Sequence, residues 1–316
     1  MPHKPIPVVV DTDGGVDDAL ALVHLARSST TNLIAVGSVH GNVTAHAAAR
    51  NSLRILELAG DAETPVAIGA AQPLAQPLHL RHPDDPVGSL AGGTDRRPTD
   101  ETAANQLVRL AQQRPGELSL LAIGPLTNLA LALAVEPRLP ALLNRVVAMA
   151  GAFAVPGNIT DYAESNVWHD PEAAAAVLTA GFDLTMVGLD VTRPTTATRG
   201  WLARVAADPT QLWGQYAAAL LAHNGADLPP LPLHDPLAAA LLVCPELGTY
   251  QGQFVTVDVS DSEFRGQTKT GAKTISGGMV NVTATVDRPL FLRTLLDSLV
   301  SPQGGDSATR QQASNE

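Results

Sequence analysis

Four carboxylates, Asp11, Asp13, Asp17 and Asp18, fall within eight residues of the segment VVVDTDGGVDDALALVHLA (8–26). That density of like charge is unfavourable unless a cation neutralises it. No His or Cys lies between residues 8 and 20. An all-oxygen donor set suits a hard cation such as Ca2+, which takes roughly six to eight oxygen ligands, better than zinc. A solvated turn with helix-capping acids would account for Asp17 and Asp18 but not for Asp11 and Asp13.

The elements that must position these acids follow from pattern. Val8, Val9 and Val10 form the β-branched run of a buried parallel strand, and Gly14 and Gly15 break it. Ala19, Leu20, Leu22, Val23 and Ala26 then recur at helical spacing. Asp11 and Asp13 therefore end a strand, while Asp17 and Asp18 open a helix at the favourable end of its dipole. Further strand-like runs at 33–41, 65–69, 118–124, 145–151 and 183–190 alternate with Ala-rich helical stretches at 103–113, 128–135, 172–180 and 235–243. This is the signature of an α/β fold, a mostly parallel open sheet with helices on both faces. Segments 253–259 and 279–287 alternate in polarity and are expected to pair near a sheet edge. Ligands of such sheets bind outside the strand carboxyl ends. Gly41-Asn42, GPLTN (124–128) and the long segment 149–174 follow predicted strands, and His234-Asp235-Pro236 opens a late helix.

Composition narrows the function. With 316 residues and 45% hydrophobic content the chain buries a large core. Twenty Lys and Arg against 31 Asp and Glu, a net charge of −11, argue against a nucleic-acid partner. The single Cys244 excludes a disulfide within the chain and fits a reducing compartment. MPHKPIPVVVD leaves no room for a secretory signal, and LSLLAIGPLTNLALALAV (118–135) is broken by Gly124-Pro125 and Thr127-Asn128. A cytoplasmic location without a membrane partner is expected. No repeat or linker divides the chain, so residues 1–300 read as one domain and 301–316 as a disordered tail. Loops 70–100 and 222–234 are long and rich in proline, as functional loops often are.

Taken together, DTDGGVDDA (11–19), GPLTNLA (124–130), MAGA with GN and AESNVWHDPEAA (149–174), GLDVT (188–192), HDPLAAA (234–240) and FRGQT (264–268) resemble, in order, the motif blocks of the inosine-uridine nucleoside hydrolase family. The resemblance runs from about Val8 to Val300. It implies a ribonucleoside hydrolase, usually a homodimer or homotetramer, that splits the N-glycosidic bond into ribose and free base. By likeness, Asp13, Asp18, Asp235 and the Thr127 carbonyl hold a Ca2+. Asp17, Asn42, Asn158, Glu164 and Asn166 bind the sugar. Asp13 acts as general base toward a metal-bound water, and His234 assists the leaving base. A site built on vicinal hydroxyls prefers ribosides to 2′-deoxyribosides.

The chain departs from the family pattern at Gly14, where relatives carry proline, which implies a more flexible turn, and at Ser165, where many carry an aromatic. RHPDDPVGSLAGG (81–93) only loosely resembles the segment that reaches the nucleobase, in which His82 is the candidate histidine; the sequence does not assign a role in base binding to His82 or His223. Two other readings compete. Asp-x-Asp-Gly after an apolar strand also suits a haloacid-dehalogenase-like phosphatase using Asp11 and Asp13, which needs a downstream lysine; Lys269 and Lys273 are the only ones after Lys4. A non-catalytic nucleoside- or sugar-binding protein would keep the same contacts without turnover.

Overall fold

The computed structural model describes residues 4–208, 211, 213–215, 217–218, 221, 231–274 and 276–300. The tail 301–316 and residues 222–230, with His223, lie outside the described residues. The strands are β1 (Ile6–Thr12), β2 (Thr31–Ser38), β3 (Val66–Ile68), β4 (Thr99–Thr102), β5 (Ser119–Ala122), β6 (Arg145–Met149), β7 (Leu184–Val187), β8 (Thr196–Ala197), β9 (Leu231–Pro232), β10 (Gly248–Val257), β11 (Thr268–Thr270) and β12 (Gly277–Val286). Ten form one sheet in the order β11-β10-β12-β7-β6-β5-β1-β2-β3-β4. From β12 to β4 every neighbouring pair is parallel, and β10 runs antiparallel to both β11 and β12. The expected pairing of 253–259 with 279–287 is present, with Phe254 opposite Met279. The edge itself is the three-residue β11, short enough to offer little template for aggregation.

Strand alternation divides the core between the two faces. Val8, Val10, Leu121 and Val147 face one core, into which the helices Val16–Arg27, His234–Val243 and Arg288–Val300 pack. Val9, Leu120, Val146 and Ala148 face the other, covered by Ala103–Gln113, Thr127–Val135 and Pro171–Thr179. The sheet is therefore buried on both sides, as its unbroken apolar runs require. Among the described residues no helix is long and apolar enough to cross a membrane.

Several boundaries differ from expectation. β2 ends at Ser38 rather than 41, because Val39 N–H turns to the Thr12 carbonyl and the chain folds over the end of β1. β7 ends at Val187, and 189–192 forms a helical turn. The 70–100 segment is not structureless: it contains the helix Pro86–Ala91, capped by Asp85, and the start of β4. Gly14 does more than loosen its turn. It sits at φ +76°, where proline, fixed near −65°, cannot go, and a Cβ there would lie 2.7 Å from the Ala48 Cα.

Candidate active site

The carboxyl ends of β1, β2, β5, β6 and β7 open on one side of the sheet, and the expected residues collect there. Asp17, Asn42, Asn158, Glu164, Asn166 and Asp235 line one cavity of about 130 Å³, with His234 and Ser165 in its wall. Asp13, Asp18 and Thr127 do not line it; they are buried at 2%, 0% and 0% exposure.

Each acid is held by its local fold. Asp18, in the first turn of its helix, reaches back to accept from Gly15 N–H at 3.0 Å, the acidic half of a capping box. It also accepts from the Thr12 hydroxyl, Asp13 N–H and Asn42 Nδ2. Asp13 accepts from Asn42 N–H and Nδ2, one on each oxygen, both at 2.8 Å. Asp235 opens the helix His234–Val243, whose N-terminus faces that of Val16–Arg27: Asp235 N–H donates to Asp17 Oδ2 at 3.5 Å. Oxygens of Asp17, Asp18 and Asp235 all lie within 4.8 Å of one another. Asp17, assigned to the sugar by likeness, thus stands in the tightest acidic group, and Asp13 flanks it. Burial, followed by the neighbouring acids, pushes the carboxyls of Asp13 and Asp235 well above the ordinary range; burial and the charge of Asp17 raise Asp18. Neutralising carboxyls by protonation and neutralising them by a cation are the two answers to that crowding.

The sugar set is preorganised by bonds that leave specific atoms available. Asn42 gives its amide hydrogens to Asp13 and Asp18, leaving Oδ1 as acceptor. Asn166 donates Nδ2 to the carbonyls of Ile123 and Met149, again leaving Oδ1. Asn158 accepts Ser165 N–H on Oδ1, leaving Nδ2 as donor. Glu164 caps the helical turn Ser165–His169, taking N–H bonds from Asn166, Val167 and Gly151, while burial raises its carboxyl. His234 Nδ1 bonds the Thr192 hydroxyl at 2.7 Å, which leaves Nε2 for a ligand; burial lowers its affinity for a proton, and Asp17 opposes that shift.

Asp11 is separated from this group. Its Oδ1 accepts from Asn128 Nδ2 at 2.7 Å, and it lines a different, very small cavity beside Gln106. Burial raises its carboxyl to about 7, against the Asn128 bond. Asn128 ties Asp11 to the Ser38 carbonyl and to Ala70 N–H. Asp11 thus cannot serve as a nucleophile toward this cavity, and Lys269 lies on edge strand β11 beside Asp258. Lys273 is exposed beyond β11 and neither lysine lines the cavity, so the phosphatase reading lacks both of its required groups here. Thr127 belongs to another buried chain: its hydroxyl donates to Asp170 and receives His40 Nε2.

Sequence reasoning missed Arg81. Arg81 N–H donates to the Gly41 carbonyl and His82 N–H to that of Asn42, so the 70–100 segment docks over the acidic turn and puts both side chains in the cavity wall. No local signal announces such a long-range contact; only the RH pair inside a long Pro-rich loop could have prompted it.

Comparison with known proteins agrees with this geometry. A family profile described as inosine-uridine preferring nucleoside hydrolase matches residues 8–293. The chain is 34% identical over 266 residues to a probable uridine nucleosidase 1 of Oryza sativa subsp. japonica, covering 79% of this chain and 81% of that one. It is 34% identical over 311 residues to the pyrimidine-specific ribonucleoside hydrolase RihA of Shewanella woodyi, covering 93% and 97%. Among solved structures, the plant nucleoside hydrolase PpNRh1 aligns with a TM-score of 0.87 at 31% identity, over 95% of this chain and 100% of that one.

Proposed function

Since this chain belongs to the inosine-uridine preferring nucleoside hydrolase family and is a ribonucleoside hydrolase, we propose that it does its work with a Ca2+ held by Asp13, Asp18, Asp235 and the Thr127 carbonyl. The observation that carries this reading is one cavity in which crowded carboxylates face the free amide atoms of three asparagines. The residues fit a hard cation: the side-chain donors are all carboxylate oxygens, and two of the proposed ligands, Asp18 and Asp235, already converge within 4.8 Å together with the sugar-assigned Asp17. When bound, such a cation offsets the acidic charge and polarises water and the vicinal hydroxyls.

The remaining chemistry belongs to the chain's own residues. Asn42 Oδ1 and Asn166 Oδ1 accept from ribose hydroxyls, and Asn158 Nδ2 donates to one. Asp13, fixed by its two bonds from Asn42, takes the proton of the attacking water as general base. Cleavage builds oxocarbenium-like positive charge on the sugar, which Asp17 and Glu164 in the cavity wall stabilise. His234 Nε2 hydrogen-bonds the departing base. Support for one domain over residues 1–300 comes from the terminal helix, whose Leu299 carbonyl and Ser298 hydroxyl bond Arg27 and His24 of the first helix. A homodimer or homotetramer is the expected assembly, which light scattering would test.

The decisive experiment is sugar release from inosine, uridine, cytidine, adenosine and guanosine, with and without chelator. Turnover should vanish on thorough metal removal and return with Ca2+. Activity that survives chelation would overturn the metal's role, and absence of reducing sugar from every riboside would overturn the hydrolase reading.

A further inference from the structure

Among the described residues Arg81 is the one arginine or lysine in the cavity wall, where the other polar side chains are acids, amides, imidazoles and the Ser165 hydroxyl, with Ile123 and Met149 the apolar contributors. Its guanidinium has no hydrogen-bond or ion-pair partner among the described residues, although the side chain is half-buried. Its backbone is nonetheless pinned, through the bonds to Gly41 and Asn42, against the loop that holds Asp13. The positive charge is felt across the cavity, at Glu164, His82 and His234. A pinned, permanently charged fork of donors left unpaired is a recognition element for an acceptor brought by the ligand.

The sugar already has its partners in Asp17, Asn42, Asn158 and Asn166, so Arg81 and His82 are left for the base. A phosphate is disfavoured, because Asp17, Glu164 and Asp235 line the same small cavity. A ring carbonyl fits instead: uracil and the 6-oxopurines present carbonyl oxygens, and guanidinium pairs well with the O6 and N7 of a 6-oxopurine. Adenine presents an amino donor where those bases present an acceptor.

Resting on the hydrolase reading above, we propose that Arg81 selects nucleosides whose base carries a ring carbonyl, uracil and 6-oxopurines over adenine, by stabilising the charge that base takes on as it leaves. The C–N bond breaks with its electron pair staying on the base, where the charge spreads to the carbonyl oxygen facing Arg81. Water oxygen bonds to the anomeric carbon. The proton taken up by Asp13 is balanced by the one the base gains on release, so the sum is nucleoside plus water giving ribose plus base. Because the charge develops only in the transition state, the effect falls on kcat more than on KM.

The test compares the full-length chain with Arg81→Met and Arg81→Lys, in Ca2+, on uridine, inosine, adenosine, uridine 5′-monophosphate and 4-nitrophenyl β-ribofuranoside. The nitrophenolate delocalises its own charge and needs little help from the protein. In Arg81→Met, kcat/KM for uridine and inosine should fall about 100-fold relative to the nitrophenyl riboside, the size of losing one charge-stabilising donor, and adenosine should fall far less. Arg81→Lys, which keeps the charge, should recover part of the loss and guards against a folding artefact. A uniform loss on all substrates, no loss on uridine, or a loss confined to the 5′-phosphate would each overturn the role of Arg81 while the hydrolase reading stands. A wild-type chain inactive even on the nitrophenyl riboside would overturn both.

Discussion

Replacing Gly41 with alanine should displace Asp13 while leaving every proposed ligand chemically intact. Gly41 sits at φ +151°, and a Cβ built there would lie 2.2 Å from Asp13 Oδ2, whereas real Cβ atoms essentially never approach below 3.0 Å. The carboxylate must therefore give way by about 0.8 Å. It has little freedom to do so: both oxygens are bonded to Asn42 at 2.8 Å, and on its other flank the Asp13 Cβ lies 3.0 Å from the place a Cβ on Gly124 would occupy. A misplacement near 1 Å at a reacting group costs roughly 10²-fold in rate, so kcat on uridine should fall about 100-fold. The backbone strain should cost about 1–3 kcal/mol of stability. Gly116→Ala supplies the control: its φ is +75°, nothing lies within 4 Å of the added Cβ, and it precedes β5 at the end of the sheet away from the cavity. That variant should lose stability without losing kcat. Reducing-sugar release and thermal unfolding on both proteins decide the matter. Wild-type kcat in Gly41→Ala would refute the placement of Asp13, as would equal losses of kcat in the two variants.

Against uridine, 2′-deoxyuridine should lose on the order of 10⁴ in kcat/KM, because the acceptors on Asn42 and Asn166 and the acids beside them would be left unpaired; comparable rates on the two substrates would count against the sugar assignment. His24 is buried beside Ser298, and burial lowers its pKa from 6.5 to about 4. The unfolded chain takes up a proton below pH 6.5 that the folded chain refuses until about 4, so stability should drop through that window by up to about 3 kcal/mol. His24→Gln should remove this contribution, read as a flatter urea-unfolding midpoint from pH 6.5 to 4; an unchanged slope would show that His24 is not buried neutral. Chelation should raise amide exchange chiefly at the facing helix starts around Val16–Leu20 and His234–Leu237, and a uniform rise over the whole sheet would contradict a local metal site.

Much of the fold was legible because a doubly covered parallel sheet writes itself as apolar runs. Val8–Val10 and Leu120–Ala122 are buried on both faces, so their composition alone marks them as strands. The acidic turn was legible for a related reason: charge is so rare in such surroundings that four carboxylates after a valine run demand a purpose. What local pattern could not carry were contacts between distant segments. The docking of Arg81 on Gly41, the tie from Asn128 to Asp11 and the commitment of the Asn42 and Asn166 amides to the protein itself all join residues far apart in sequence. Asp11 and Asp13 look equivalent as letters. They diverge because side chains two apart on a strand face the same way only while the strand stays regular, and the chain leaves β1 immediately after Thr12.

The acids form two tiers with different needs. Asp13 and Asp18 each have both oxygens bonded by protein donors, so the fold itself carries much of the cost of burying them. Asp17 and Asp235 line the cavity, and the single bond between their residues runs from the Asp235 backbone to Asp17. Helix N-termini offset some of their charge, but the two helices bring their acids toward each other, and the repulsion that raises Asp235 comes from Asp17, Asp18 and Asp13. A cation would therefore act most strongly on Asp235, the proposed ligand that lines the cavity and meets the charge of three other acids. Asp13 is already fixed by Asn42, and Asp18 by Thr12 and Gly15, so a cation that they and Asp235 held would find two of its carboxylates in place before it binds.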